Sequence, residues 1–324
     1  MKTRTIGSLS VSEIGLGCMN MSMGYGKADD NESAQLLNAA LDVGYTFLDT
    51  AQVYGSGHNE ELIGKSLEGR RNEYVLATKC GLSREGINGD PAGIMQSCEN
   101  SLKRLRTDVI DLYYLHRVDP NIPIEESTGA LAKLVEQGKV REIGLSEVCS
   151  DNLRRAHKVH PIAALQSEYS LWSRTPERGV LEVCDELGIT MVPFSPLGRA
   201  FLTGKAADVT QLVEGDLRTT IARPRFEPEA YAQNKQLLVP FAEIAEQQGC
   251  SMAQLALAWL LHRKKDVPIP GTKHIDFMKE NAGAGAVSLS DETVEKLNAL
   301  INEDTVVGNR YTDERMAEAD AERD

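Results

Sequence analysis

Four polar residues in the first half of the chain could together do chemistry: Asp49, Tyr54, Lys79 and His116. Asp49, Lys79 and His116 each end a short apolar run, and Tyr54 follows Asp49 by five residues. A lysine, a phenol, an imidazole and a carboxylate brought to one place are suited to reducing a carbonyl. Hydride addition builds negative charge on oxygen, and that oxygen then needs a proton. A phenol, with a pKa of about 10, is a weak donor near pH 7. A neighbouring ammonium stabilises phenolate and lowers that value, so Lys79 is expected to activate Tyr54. Asp49 would keep Lys79 charged and oriented. His116 would donate a hydrogen bond to the carbonyl oxygen and limit its approach. No side chain supplies a hydride, so a cofactor must. Singly, a half-buried tyrosine, an ion-paired lysine and a structural histidine are the plainer readings. Only convergence on one face turns them into a site.

The elements that must bring this about show in the rhythm of the chain. Short β-rich runs at 13–18, 46–49, 74–79, 109–116, 140–146, 164–167, 189–194 and 267–270 alternate with amphipathic helical stretches. The runs are short, mostly apolar and weakly alternating, as buried parallel strands are. Eight βα units of about thirty residues argue a closed (β/α)8 barrel, a TIM barrel, over a doubly wound sheet. In such a barrel the C-terminal strand ends share one mouth. Asp49, Lys79 and His116 fall there, with Tyr54 in the adjoining loop, and Ser146 and Gln166 end the fifth and sixth strands. Asp111, mid-strand, is expected to be structural. Gly15-Leu16-Gly17 lacks the third glycine of a dinucleotide fingerprint, since Asn20 stands in its place.

Residues 1–12 alternate around Gly7-Ser8 and predict a hairpin capping the bottom of the barrel. After the seventh strand, residues 198–228 form a long loop over the mouth. A helix at 229–248 and a second one opened by Ser251-Met252-Ala253-Gln254, a capping-box pattern, follow. Residues 303–324 read as a polar tail. No linker divides the chain, so one barrel domain over 1–324 is expected. The net charge of −13 argues against nucleic acid and anionic membranes as partners. No run approaches a membrane span, and residues 1–7 do not read as a secretory signal. The six scattered cysteines suggest reduced thiols in the cytoplasm. His157 and His160 lack accompanying ligands, so no metal site is expected.

The runs 47–55 (FLDTAQVYG), 77–79 (ATK) and 111–116 (DLYYLH) resemble the signature regions of the aldo-keto reductase family. Gly144-Leu145-Ser146, residues 166–170, 194–199, 269–273 and Glu280-Asn281 are also similar to its motifs, in order along nearly the whole chain. By that resemblance Asp49, Tyr54, Lys79 and His116 form a catalytic tetrad, with Tyr54 the general acid of an NADPH-dependent aldehyde or ketone reductase. Ser146 and Gln166 would hold the nicotinamide carboxamide and Phe194 would stack on its ring. Ser195, Leu197, Gly198 and Arg199 would follow the pyrophosphate. Lys273, beside Gly271, would meet the 2′-phosphate, and Glu280 and Asn281 the adenine. His274 stands where many relatives carry a second basic residue. Glu147 stands where many carry Asn; it either accepts from the carboxamide or points elsewhere. The substrate pocket is expected from residues 19–25, the loop after His116, Trp172, residues 198–228 and the tail, and suits aromatic or medium-sized aldehydes. The other reading is a nucleotide-binding regulatory subunit of the same fold with little turnover.

Overall fold

The computed structural model describes residues 1–205 and 209–324; three residues of the expected 198–228 loop lie outside the described residues. The chain opens with an antiparallel hairpin, β1 (Thr3–Ile6) against β2 (Leu9–Ser12). Gly7 turns it at a φ of 55°, which a side chain resists. The parallel strands then come in order. They are β3 (Leu16–Gly17), β4 (Phe47–Asp49), β5 (Val75–Cys80), β8 (Ile110–Leu115), β9 (Val140–Ser146), β10 (Ala164–Glu168) and β11 (Thr190–Phe194), each paired with the next. A small hairpin, β6 (Leu82–Ser83) with β7 (Gly86–Ile87), rises after β5 and had no clear signal in the sequence. Helices α1 (Asp30–Val43), α2 (His58–Ser66), α3 (Pro91–Leu105), α4 (Ile124–Glu136), α5 (Ser150–Val159) and α6 (Val180–Leu187) fill the intervals.

The eighth run closes the barrel without becoming a regular strand. Val267 and Ile269 donate to the carbonyls of Met191 and Pro193 at 2.9 and 3.0 Å. On the other side Gly15 and Gly17 donate to Pro268 and Pro270 at 2.9 and 3.3 Å. The two prolines have no N–H to return, so half of that ladder is missing. The expected eighth strand is thus an extended seam. Gly17 permits it, because a Cβ there would lie 2.8 Å from the Ile269 carbonyl oxygen.

Alternation along the strands divides two layers. Outward residues such as Tyr113, Leu145, Leu165 and Met191 pack with the helices. Inward residues, among them Phe47, Ala77, Leu112, Tyr114, Ala164 and Val192, form the barrel's own core with Ile6 and Val11 of the hairpin. Inside, Gly144 leaves room for a neighbour: a Cβ there would meet the Tyr114 ring at 2.5 Å.

Beyond β11 come α7 (Pro228–Lys235), α8 (Leu238–Gln247) and α9 (Met252–His262), then α10 (Ile275–Ala282), α11 (Asp291–Leu300) and α12 (Asp313–Glu318). The single helix expected at 229–248 is two. Pro240 cannot donate to the Gln236 carbonyl and its ring crowds it, so the chain breaks at residues 236–237. The capping box forms at Ser251 as read, with Gln254 Nα–H donating to Ser251 Oγ at 3.2 Å. The tail is no loose appendage: Arg310 and Tyr311 are buried, and α12 follows. No helix among the described residues is long and apolar enough to cross a membrane.

Candidate active site

Side chains two residues apart on a strand share a face. This places the site. Asp49 lies two residues beyond Phe47, Lys79 beyond Ala77, His116 beyond Tyr114, Ser146 beyond Gly144, Gln166 beyond Ala164 and Phe194 beyond Val192. The polar set is therefore the next inward layer above the barrel's apolar core, at the C-terminal mouth. Tyr54 enters from the loop after β4. That loop turns through Gly55, Ser56 and Gly57 at φ of 60°, 56° and 97°. Asn59, fully buried, ties it down: Thr50 Oγ1 donates to Asn59 Oδ1 at 2.6 Å, and Asn59 Nδ2 donates to the Cys18 carbonyl at 2.9 Å. Asn59 was not singled out from sequence; nothing in its local pattern separates it from a surface helix residue.

At the centre the fully buried Lys79 ammonium donates to Asp49 Oδ1, to the Thr50 carbonyl at 2.8 Å and to Tyr54 OH at 3.5 Å. Gln166 Nε2 donates to the other Asp49 oxygen at 2.8 Å. The Tyr54 and His116 rings meet edge to face with centroids 6.0 Å apart. Burial works against the Lys79 charge, but Asp49 and the Tyr54 oxygen outweigh it and hold the ammonium above its ordinary pKa. For Tyr54 burial comes first and raises the phenol; Lys79 pulls it down but does not prevail. The expected net lowering of Tyr54 is therefore corrected in sign, because the hydroxyl is buried as well as paired. His116 is driven well below its ordinary value by burial and by Arg117 and Lys79, so its imidazole is neutral at pH 7. Its Nδ1 has no hydrogen-bond partner among the described residues.

A cavity of about 680 Å³ opens over this layer. Asp49, Tyr54, His116, Ser146, Gln166, Phe194, Ser195, Leu197, Arg199, Gly271, Lys273, Glu280 and Asn281 all line it. Lys79 lies beneath Tyr54, and Gly198 packs behind the wall, where a Cβ would meet the Trp172 ring at 2.9 Å. Past β11 the backbone goes left-handed at Ser195, Gly198, Arg199 and Ala200, with φ of 48°, 56°, 54° and 75°. Three of these are not glycine, a strained curl of the kind that makes an anion-binding concavity. The Lys273 ammonium rests on the Tyr25 and Lys27 carbonyls at 2.9 and 2.6 Å. Arg199 is committed to Glu168 at 2.9 Å, and Glu280 faces Lys205 at 3.5 Å.

One expectation about the walls is revised. Trp172 is buried against Phe201, rings stacked at 4.0 Å, and does not reach the cavity. Of the two alternatives for Glu147, the structure takes the second, and it points elsewhere. At a φ of 55° it turns its carboxylate to the Glu168 amide at 2.9 Å and to Arg310 Nη2 at 2.6 Å. The tail supplies Tyr311, Arg315 and Glu318 to the lining, and β6–β7 supplies Leu82 and Ile87. Asp111 is structural as read, accepting from the Leu76 amide at 2.8 Å and from Arg71 at 2.6 Å. Arg117, on the cavity wall beside His116, was passed over as part of a loop; its signal was its position directly after the strand-ending histidine.

Comparison with known proteins agrees with this geometry. A model of the aldo/keto reductase family matches residues 13–302. A probable aldo-keto reductase 1 from Glycine max is 43% identical over 309 residues, 93% of this chain and 88% of that protein. Among solved structures, a glycerol dehydrogenase from Gluconobacter oxydans superposes with a TM-score of 0.84 at 29% identity, covering 92% of this chain and 94% of that one. An aldo/keto reductase from Klebsiella pneumoniae, solved with NADP and acetate, gives 0.76 at 29% identity, covering 96% and 99%. A polar layer of this kind at the mouth of such a barrel, and a family model spanning most of the sequence, lead to one conclusion: this chain belongs to the aldo/keto reductase family.

Proposed function

We propose that this chain reduces an aldehyde or ketone to the alcohol with NADPH, and that Tyr54 gives the proton. The observation that carries the reading is the buried Lys79 ammonium, which touches both Asp49 and the Tyr54 hydroxyl beneath an open cavity. The cavity suits a long dinucleotide. It has amide and hydroxyl groups at Gln166 and Ser146, an aromatic face at Phe194, the left-handed curl of 195–200, and a lysine at the far wall. The Klebsiella relative was solved with NADP. When bound there, the reduced nicotinamide supplies the hydride. The chain's own residues do the rest. Tyr54 points its hydroxyl at the developing oxyanion and releases its proton to it. Lys79, kept protonated by Asp49, offsets the phenolate left behind. Neutral His116 donates to the same oxygen without adding charge. Ser146 and Gln166 orient the carboxamide, and Phe194 backs the ring. Ser195, Leu197, Gly198 and Arg199 border the pyrophosphate. Lys273, whose only partners among the described residues are carbonyl oxygens, turns to the 2′-phosphate and favours NADPH over NADH; Gly271, Glu280 and Asn281 complete that end. The six cysteines are free, which fits a reducing compartment, and we place the chain in the cytoplasm.

The test is NADPH oxidation with a panel of aldehydes and ketones, wild type against Tyr54→Phe. Turnover should fall by about 10²- to 10⁴-fold, the usual contribution of a positioned general acid. NADPH binding, read by nucleotide fluorescence, should persist. Undiminished turnover in the phenylalanine variant would remove Tyr54 from the chemistry. Binding without turnover of any carbonyl would replace the enzyme with a nucleotide-binding subunit.

A further inference from the structure

Arginines lining the cavity differ in one respect. Arg199 is paired with Glu168 at 2.9 Å, Arg218 with Asp216 at 2.8 Å and Arg315 with Glu318 at 2.6 Å. Arg117 also lines the cavity, but no carboxylate lies within ion-pair distance of it among the described residues. Its Nη1 donates to the His116 carbonyl at 2.6 Å and approaches Ser146 Oγ at 3.3 Å, which fixes the head group beside the catalytic layer. No partner is found for Nη2 or Nε among the described residues. The charge is felt at the chemistry, since Arg117 pulls both the His116 and the Tyr54 pKa downward. The same cavity also carries the apolar side chains Met19, Met23, Val53, Leu82 and Ile87 on its walls.

A half-buried guanidinium without a counter-ion is costly, and its planar fork matches a carboxylate. Arg117 does not share the surroundings of Lys273, which sits with the 25–27 loop at the wall proposed for the 2′-phosphate. From this cation beside His116, which meets no carboxylate among the described residues, in a cavity whose walls also carry Met19, Met23, Leu82 and Ile87, we infer that the chain prefers carbonyl substrates bearing a carboxylate on a compact apolar body, held by Arg117. The inference rests on the reductase reading above and adds the substrate class. Arg117 is here a specificity-determining residue: its anchored Nη1 holds the head group still, and its free edge takes the anion. The acidic exterior gives such a substrate no general attraction, so discrimination falls to this local charge.

The experiment compares 3- and 4-carboxybenzaldehyde with benzaldehyde as substrates for wild type, Arg117→Met and Arg117→Lys, all with NADPH. The readout is the ratio of kcat/KM for a carboxylated over the neutral aldehyde within each enzyme. The wild-type ratio should exceed one for at least one carboxylated isomer. In Arg117→Met it should fall about 10- to 100-fold, as loss of a charge-assisted bond predicts, with the change mainly in KM. Arg117→Lys should recover part of it. A ratio unchanged by Arg117→Met would overturn the inference and leave Arg117 a positioning residue for His116 and Ser146. If wild type turns over none of the three, the carbonyl panel above judges the reductase reading separately. Calorimetric binding of benzoate to the NADP-loaded protein then still decides the anion site. Weaker binding in the methionine variant upholds it; equal binding in both proteins refutes it.

Discussion

Lys79 and Asp49, to which we assign a part in the chemistry, are also part of the structure. Each is buried, and neither charge would be tolerable without the other. Replacing Lys79 by Met should therefore cost more than activity. Asp49 would be left as an isolated buried carboxylate, and at pH 8 stability should fall by about 3–5 kcal/mol. At pH 5 the loss should be smaller, because an unpaired buried carboxyl takes up a proton more readily. The double variant Asp49→Asn, Lys79→Met should recover most of the stability while remaining inactive. Urea unfolding at both pH values checks this; a double variant as unstable as Lys79→Met would show that the charge left on Asp49 is not the cause. The placement of these residues at the mouth was legible in the sequence because strand ends were recognisable. The sign of the Tyr54 shift was not, since burial of its hydroxyl depends on loops that meet only in the fold.

Among the elements, the C-terminal strap departs most from its polar composition. Asp320 reaches across to the start of α5. Its carboxylate accepts from the Cys149 amide at 2.9 Å and from Asn152 Nδ2 at 2.9 Å. The chain's last residue, Asp324, accepts from the Ser150 amide at 2.9 Å. Carboxylates from 170 residues away thus satisfy the open N–H groups of a helix whose own Cys149 cannot cap it. Above this cap, Arg310 sits with Glu147 at 2.6 Å, Glu168 at 3.6 Å and Glu322 at 2.6 Å. Asp320→Ala should lower stability by about 1–2 kcal/mol, the usual worth of a helix cap. It should also speed proteolysis within residues 303–324. Equal protease resistance in the variant would mean the strap is held elsewhere. An alternating strand or a capping box announces itself locally. This cap does not, because its donors lie mid-chain and its acceptors in the far C-terminal segment.

For the molecule as a whole, the barrel bottom carries a second buried charge cluster with no part in the site. Arg4 of the hairpin donates to the carbonyls of Leu261 and Arg263 at 2.8 and 3.0 Å and to that of Asp266. Asp266 is buried, with Arg263 Nε at 3.1 Å. Burial outweighs Arg263 and pushes its carboxyl up to about 7. The unfolded value is about 3.9. Between those limits the folded state keeps a proton that the unfolded state has released, so this group's contribution is full at low pH and is lost as pH rises through 7. Asp266→Asn, which cannot ionise, should gain on wild type as pH increases. The difference in unfolding free energy between variant and wild type should shift in the variant's favour from pH 5 to pH 8. A difference that stays level across that range would show that Asp266 titrates normally in the fold.

The sequence by itself determined the barrel, the order of its strands, the layer of polar side chains at its mouth and the family to which the chain belongs. These are local or periodic properties: alternation puts a residue on a face, and a strand end puts it at the rim. Tertiary structure decided what depends on encounters between distant segments. It turned Glu147 toward Arg310 and away from the cavity, and withdrew Trp172 behind Gly198. It made a seam of Val267 to Pro270 where two prolines interrupt the ladder. It also left Arg117 beside His116 without a counter-ion among the described residues, a fact about which carboxylates fail to arrive. No spacing along the chain encodes an absent neighbour; only the packed molecule fixes it.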